Sequence, residues 1–256
     1  MLPRIDCHLH TARFSCDAEA TLDEYVAQGR KLGFDALCTT EHMDFDPADT
    51  CFGYHDPIEH CAARERVRAA PPPGIEVLIG VEIDYQARFD GAVRQFLRGA
   101  AYDLVIGSVH YVPQGFVLHD GYYGASERED YMPYFEALLG AAQTGLFDVI
   151  GHLDIVKRYG VRRHGPFSYR RYADPIDAVL RACVANGTGL EINTSGIRGL
   201  PQEPFPALPV LQRYRELGGE ILTVGSDAHC AVDFGRDIAA AVELARAAGL
   251  HALALF

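Results

Sequence analysis

Seven short runs rich in valine, isoleucine and leucine recur along the chain: IDCHLH (5–10), DALCTT (35–40), EVLIGVEIDY (76–85), DLVIGSVHYV (103–112), FDVIGHLD (147–154), GLEINTS (189–195) and EILTVGSDAH (220–229). Each has the length and side-chain content of a buried strand, and helical periodicity with capping signals fills the intervals. Thr21 and Glu24 make a capping box ahead of an apolar face formed by Tyr25, Val26, Leu32 and Phe34. Asp174-Pro175 reads as N-cap and first position of a helix that closes at Asn186-Gly187, and an alanine-rich helix is expected over 236–248, ending at Gly249. Strands alternating with helices predict an α/β fold with a parallel sheet, and about seven units in one domain predict closure into a barrel. An open doubly wound sheet fits the same alternation. The polar residues favour the barrel.

Six of the runs end in metal-capable side chains. The first ends in His8 and His10, which share a face because residues i and i+2 of a strand point the same way. The others run into Glu41-His42, Glu82, His110, His152, and Asp227 with His229. A histidine at one strand end is more often a hydrogen-bonded loop residue than a ligand. Six of the eleven histidines at such positions are a different matter, since the carboxyl ends of barrel strands converge on one mouth. A metal site is the expectation. His55, His60, His119, His164 and His251 lie in polar loops or near the C terminus, and most of them are expected to be solvated.

At 256 residues the chain suits one domain over 1–256. The run Pro71-Pro72-Pro73-Gly74 is too short for a linker and reads as a loop between helix and strand. No run of about 18 apolar residues and no basic start leading into an apolar segment occurs, so no membrane association is expected and the location is expected to be cytoplasmic. The seven cysteines are odd in number and form no C-x-x-C pair, which argues against a disulfide framework and a zinc knuckle. Most are expected to be small buried hydrophobes. A net charge of -12 argues against nucleic acid as a partner, and carboxylates awaiting cations explain part of the excess.

Together, D-x-H-x-H at Asp6 to His10, T-E-H at His42, G-V-E-I at Glu82, G-S-V-H at His110, G-H-L-D at His152 and G-S-D-A-H at Asp227 and His229 resemble the polymerase and histidinol phosphatase (PHP) superfamily over essentially the whole chain. The stretches GHLDIVKRYG, EINTSGIR and LIGVEIDY are similar to its monofunctional histidinol-phosphate phosphatases. The resemblance implies a distorted (β/α)7 barrel holding three divalent or trivalent metal ions. His8, His10, Glu82 and Asp227 would hold one, Glu82 would bridge to a second held by His110 and His152, and Asp17, His42 and His229 would hold the third. Glu82, Asp227 and His229 would be the catalytic members. Aspartate at position 17, where some superfamily members carry histidine, matches the histidinol phosphatase branch. Mixed histidine and carboxylate shells accept zinc, manganese or iron.

The expected reaction is hydrolysis of L-histidinol phosphate to L-histidinol and phosphate in histidine biosynthesis, by a hydroxide bridging the first two ions. No G-x-S-x-G nucleophile elbow competes with that route. Arg158 and Arg198 follow the fifth and sixth strands and are expected to fork onto phosphate oxygens, with Lys157 pointing away. Ser195 and Thr194 offer hydroxyl support. The loop MDFDPADTCFGYHDP, with Asp44, Asp46, Phe52 and Tyr54, is expected to meet the imidazole end of the small-molecule substrate. Asp154 is expected to support a ligand histidine, and Glu41 the ligands of the third ion. The alternative is a broader PHP phosphoesterase acting on nucleotides or other small phosphate monoesters. A 3′ exonuclease would need a basic, aromatic-laced face, an amidohydrolase commonly a lysine at a strand end, and a degenerate binding module would be expected to have lost ligands. The oligomeric state is left open.

Overall fold

The computed structural model describes residues 4–124 and 126–254. The chain begins with β1 (Ile5–Leu9), α1 (Leu22–Leu32), β2 (Ala36–Met43), α2 (Pro57–Ala69), β3 (Glu76–Asp84), α3 (Asp90–Gly99) and β4 (Val105–Ser108). A small antiparallel hairpin follows, β5 (Tyr111–Val112) and β6 (Gly115–Phe116), then α4 (Glu127–Gln143), β7 (Val149–Ile150) and α5 (Lys157–His164). The last elements are α6 (Ala173–Asn186), β8 (Gly189–Asn193), α7 (Leu208–Glu216), β9 (Leu222–Gly225) and α8 (Ile238–Ala247). The seven predicted strands form one parallel sheet, and their order in it is their order in the chain.

The sheet curves until its ends meet. His10 N donates to Ala228 O at 3.0 Å and Asp227 N donates to His8 O at 2.9 Å, joining β1 to the segment after β9. Ile5, Cys7, Ala36, Cys38, Leu104, Ile106 and Val149 touch one another although β3 separates β2 from β4 in the sheet. Strands that are not neighbours meet in this way across a concave interior, so these residues fill the barrel beneath the mouth. A larger apolar cluster lies between the strands and the surrounding helices. The expected barrel is observed.

Local chemistry explains most boundaries. The capping box at α1 forms as expected, Thr21 accepting from Glu24 N and the Glu24 carboxylate accepting from Thr21 N, and Gly33 ends the helix at φ 70°. Three details differ from the sequence reading. Asp174 lies inside the first turn of α6 and Tyr172 is the N-cap, because a tight turn over Tyr169–Tyr172 already leads into the helix. α8 starts at Ile238, after Asp237 takes a left-handed conformation at φ 62°. DLVIGSVHYV is not one strand: Asp84 Oδ1 accepts from His110 N at 2.6 Å, and the chain turns out of the sheet there.

The cysteine and histidine expectations also need correction. Cys16 and Cys51 form a disulfide with a Cα separation of 5.4 Å, joining the loop after β1 to the loop after β2. Adjacent strand ends bring these loops together, which a count of cysteines cannot register. Cys7, Cys38 and Cys183 are free and buried, as expected. His55 and His60 are buried rather than solvated; His55 Nε2 lies 2.8 Å from His60 Nδ1, and Phe14, Phe96 and Tyr102 surround the pair. His164 is half-buried, 2.8 Å from Asp130, whereas His119 and His251 are exposed. Among the described residues no helix is long and apolar enough to cross a membrane.

Candidate metal centre

Strand ends bring eight of the nine expected ligands to the barrel mouth, and the loop after β1 brings Asp17. Glu82, at the end of β3 and 1% exposed, stands at the centre. Its Oε2 lies 3.4 Å from His8 Nε2, 3.7 Å from His10 Nε2 and 3.0 Å from His42 Nδ1. Its Oε1 lies 2.8 Å from His152 Nε2 and 3.6 Å from His110 Nε2. Asp227 Oδ1 is 3.4 Å from His10 Nε2 and 3.8 Å from His8 Nε2. Asp17 Oδ2 is 3.6 Å from His42 Nε2 and 3.3 Å from His229 Nε2. His8, His10 and Asp227 form one compact donor group, Glu82, His110 and His152 a second, and His10, His42 and His229 a third. In the last group His10 stands where the sequence reading put Asp17: its ring stacks on His42 at 4.0 Å and on His229 at 4.3 Å.

The register of β1 against β2 shifts between Asp6 and Leu9. His8 lies within that irregular stretch, and the rings of His8 and His10 end 5.0 Å apart. Two other ligand positions have left-handed backbone, His152 at φ 26° and Asp227 at φ 56°, a conformation that persists only where surrounding bonds impose it. Asp6 imposes it at Asp227: its carboxylate accepts from Ser226 N and Oγ at 2.8 and 2.6 Å and from Gly235 N at 2.8 Å. Glu41 does similar work across the mouth, accepting from Thr11 N and from the Thr11 and Ser15 hydroxyls. The Ser15 oxygen in turn accepts from His42 N at 3.1 Å, so Ser15 links Glu41 to the backbone of His42.

The donors fit cations. Nε2 of His8 and of His10 are buried without a hydrogen-bond partner, an arrangement costly for polar atoms unless another ligand takes them. Burial disfavours ionised Glu82, but His8, His110, His152 and His42 outweigh it and hold the carboxylate far below its usual range. Asp227 is likewise held low against burial, by His8, His10, His229 and Arg158. Burial would strip the proton from His8, yet Glu191, Glu82 and Asp227 raise its pKa well above that of free imidazole. So much negative potential facing so many imidazoles suits hard and borderline cations.

A cavity of about 120 Å³ opens over the cluster, lined by Asp44, Asp49, Thr50, Cys51, Phe116, Leu118, Ile155 and Arg158 besides the ligands. Arg158 Nη2 donates to Ser195 Oγ at 2.6 Å and lies 3.4 Å from Asp227 Oδ2, so both predicted residues border the cluster of histidines and carboxylates. Arg198 does not reach in the same way. It donates to the carbonyls of Ser226 and Asp227 at 2.7 and 3.2 Å, tying down the backbone at Asp227. Both arginines also line a neighbouring cavity of about 380 Å³. Lys157 points away as expected, buried against Asp154, Glu203 and the Pro204 carbonyl. That pairing corrects the role expected of Asp154, which meets no ligand histidine. The Thr194 hydroxyl is likewise spent on the Arg236 carbonyl.

Of the four residues expected from the acidic loop, Asp44 lines the cavity and the other three do not. Asp44 lines the cavity, 8% exposed, and accepts no hydrogen bond from any described residue; burial raises its pKa to about 7, against the pull of His42. Asp46 pairs instead with Arg88 and Gln86, while Phe52 and Tyr54 are about half exposed, away from the cavity. Asp49 stands in their stead, along with Phe116 and Leu118 from the β5–β6 hairpin and the stretch after it. Glu191, fully buried on β8 beside His8, also escaped the sequence reading. Its signal was a charge between Leu190 and Ile192 in an otherwise apolar strand.

Comparison with known proteins agrees with this architecture. A histidinol-phosphatase of Lactococcus lactis subsp. lactis is 30% identical over all of this chain and 95% of its own length. A Deinococcus radiodurans protein named "Probable histidinol-phosphatase" is 31% identical over 95% of this chain and 93% of its own. The crystal structure of the L. lactis histidinol phosphate phosphatase, complexed with zinc, L-histidinol and phosphate, superposes with a TM-score of 0.89 at 30% identity, covering 100% of this chain and 97% of the other. A Listeria monocytogenes structure at 20% identity, covering 92% of this chain and 99% of the other with a TM-score of 0.75, shares the fold. Residues 6–195 match the PHP domain family, and this chain belongs to it.

Proposed function

We propose that this chain hydrolyses L-histidinol phosphate to L-histidinol and phosphate in a metal-dependent reaction of histidine biosynthesis. One observation carries the reading: histidine and carboxylate donors gather at the mouth of a barrel that is similar along its full length to an enzyme crystallised with zinc, L-histidinol and phosphate. The ligand assignment is His8, His10, Glu82 and Asp227 for one ion, Glu82, His110 and His152 for a second, and Asp17, His42 and His229 for a third, with His10 near enough to serve the third as well. Zinc, manganese and iron all suit these donors. Bound there, the ions supply Lewis acidity to the phosphoryl oxygens and lower the pKa of water to roughly 7.

The chain's own residues do the rest. Arg158 stands beside the cluster with its guanidinium oriented by Ser195, ready to pair with phosphate oxygens in the fork geometry that arginine provides. Arg198 holds the loop carrying Asp227. Asp44 and Asp49 offer carboxylate acceptors to the ammonium and imidazole of the substrate, and Phe116 and Leu118 wall the organic part away from water. Phosphate release from L-histidinol phosphate by the metal-loaded chain, compared with nucleoside monophosphates and repeated after chelation, tests the reading. Strong preference for histidinol phosphate, abolished by chelator and restored by metal, is expected. Equal rates on both substrate classes would favour the broader phosphoesterase.

A further inference from the structure

Glu191 is a carboxylate without exposed surface, and among the described residues no lysine or arginine pairs with it. Its Oε1 lies 2.5 Å from His8 Nδ1, and its Oε2 accepts from His152 N at 2.9 Å and from Asn193 Nδ2 at 3.3 Å. A buried carboxylate is expensive unless its oxygens are taken by hydrogen-bond donors, and here the donors are His8 and the His152 backbone. Its neighbours are built around it. A Cβ on Gly225 would sit 2.6 Å from Glu191 Oε1 and 2.3 Å from His8 Cβ, so only glycine fits between the two.

The two groups that Glu191 holds belong to different strands that are not neighbours in the sheet, β1 and the end of β7. They also belong to different donor groups, His8 with His10 and Asp227, and His152 with Glu82 and His110. We infer that Glu191 is a positioning residue for the paired metal ions: one oxygen accepts a hydrogen bond from Nδ1–H of His8 and so leaves Nε2 free for the first ion, while the other fixes the strained backbone of His152 at the second. A carboxylate behind a ligand histidine sets its tautomer and makes its free nitrogen a stronger donor. Here a single carboxylate does so on one side and sets backbone direction on the other, so the two halves of the pair are assembled together. This inference rests on the ligand assignment above.

The test titrates the metal-free full chain with zinc and reads affinity directly, without turnover. Glu191→Gln keeps the side-chain volume and one acceptor oxygen but loses the charge and the second acceptor. Zinc binding about 10- to 100-fold weaker is expected, the range for loss of a partner behind a ligand histidine, with an unchanged circular dichroism spectrum in chelator. In wild type, nitrogen-15 spectra of the zinc-loaded protein are expected to show His8 protonated at Nδ1 and metal-bound at Nε2; this second readout decides the matter if the variant does not fold. Equal zinc affinity for variant and wild type, or His8 bound to zinc through Nδ1, would overturn the role of Glu191 alone. A wild-type chain that takes up no zinc would overturn the ligand assignment with it.

Discussion

Glu82 and His152 face each other across the floor of the mouth, Oε1 2.8 Å from Nε2, while the second oxygen of the same carboxylate looks toward His8, His10 and His42. One side chain thus addresses two donor groups. That makes it the position where loss of charge disturbs the most neighbours.

Glu82→Gln is expected to cut kcat more than about 100-fold, since even partners behind the ligands are worth 10- to 100-fold. Zinc content should fall in parallel, because the amide cannot offer two anionic oxygens. Metal analysis beside phosphate release checks this. Near-normal turnover with full metal content would mean that the ligand assignment is wrong.

Arg158→Ala is expected to raise KM for histidinol phosphate about 10- to 100-fold with a smaller effect on kcat, the scale of one or two hydrogen bonds to a charged group. Arg158→Lys should recover only part of the loss, because an ammonium lacks the planar fork that also reaches Ser195. Steady-state kinetics on the three forms decide it. A variant with unchanged KM would remove Arg158 from the substrate.

Among the described residues none donates a hydrogen bond to Asp44, which lines the cavity. Asp44→Asn should raise KM for histidinol phosphate roughly 10-fold, while leaving KM for p-nitrophenyl phosphate, which has no cationic end, within about twofold. Equal losses on the two substrates would assign Asp44 to the metal cluster instead.

His55 and His60 carry a pH prediction. Burial lowers their pKa values from the ordinary 6.5 to about 4 and about 3; Asp56 partly opposes the shift at His55, and His55 adds to it at His60. The folded chain therefore refuses protons that the unfolded chain accepts below pH 6.5. Stability contributed by the neutral pair is complete above that pH and falls as pH drops toward 3 to 4, by at most roughly 1.4 kcal/mol per pH unit for each imidazole. His60→Phe, packed against Phe14 and Tyr102, should flatten the decline. Urea midpoints in chelator at pH 7 and 4.5 measure it, and parallel declines in the two proteins would refute it.

The seven strands and the candidate donors at their ends were legible because each is written locally. A buried strand needs an unbroken apolar run, and a ligand at its carboxyl end interrupts that run at a fixed place, as His152 does after Val149 and Ile150. The PHP motifs then supplied the grouping. Residues whose role depends on a distant partner were hidden. Nothing near Asp154 in sequence distinguishes a partner of Lys157 from a partner of a histidine, and nothing near Asp49 says that it, rather than Asp46, enters the cavity. Glu191 did break the apolar pattern of β8, but its meaning lies 183 residues away at His8.

The sequence by itself determined the alternation of strands and helices, the helix cap at Thr21 and the residues able to bind cations, because each of these depends on side-chain chemistry and on spacing within a few residues. Only the tertiary structure decided that His10 stands near a second group of donors, that Arg198 tethers backbone while Arg158 remains at the mouth, that Cys16 meets Cys51, and that His55 and His60 are buried. These are contacts between separate loops, and their distances come from the closing of the barrel, which no stretch of chain specifies alone.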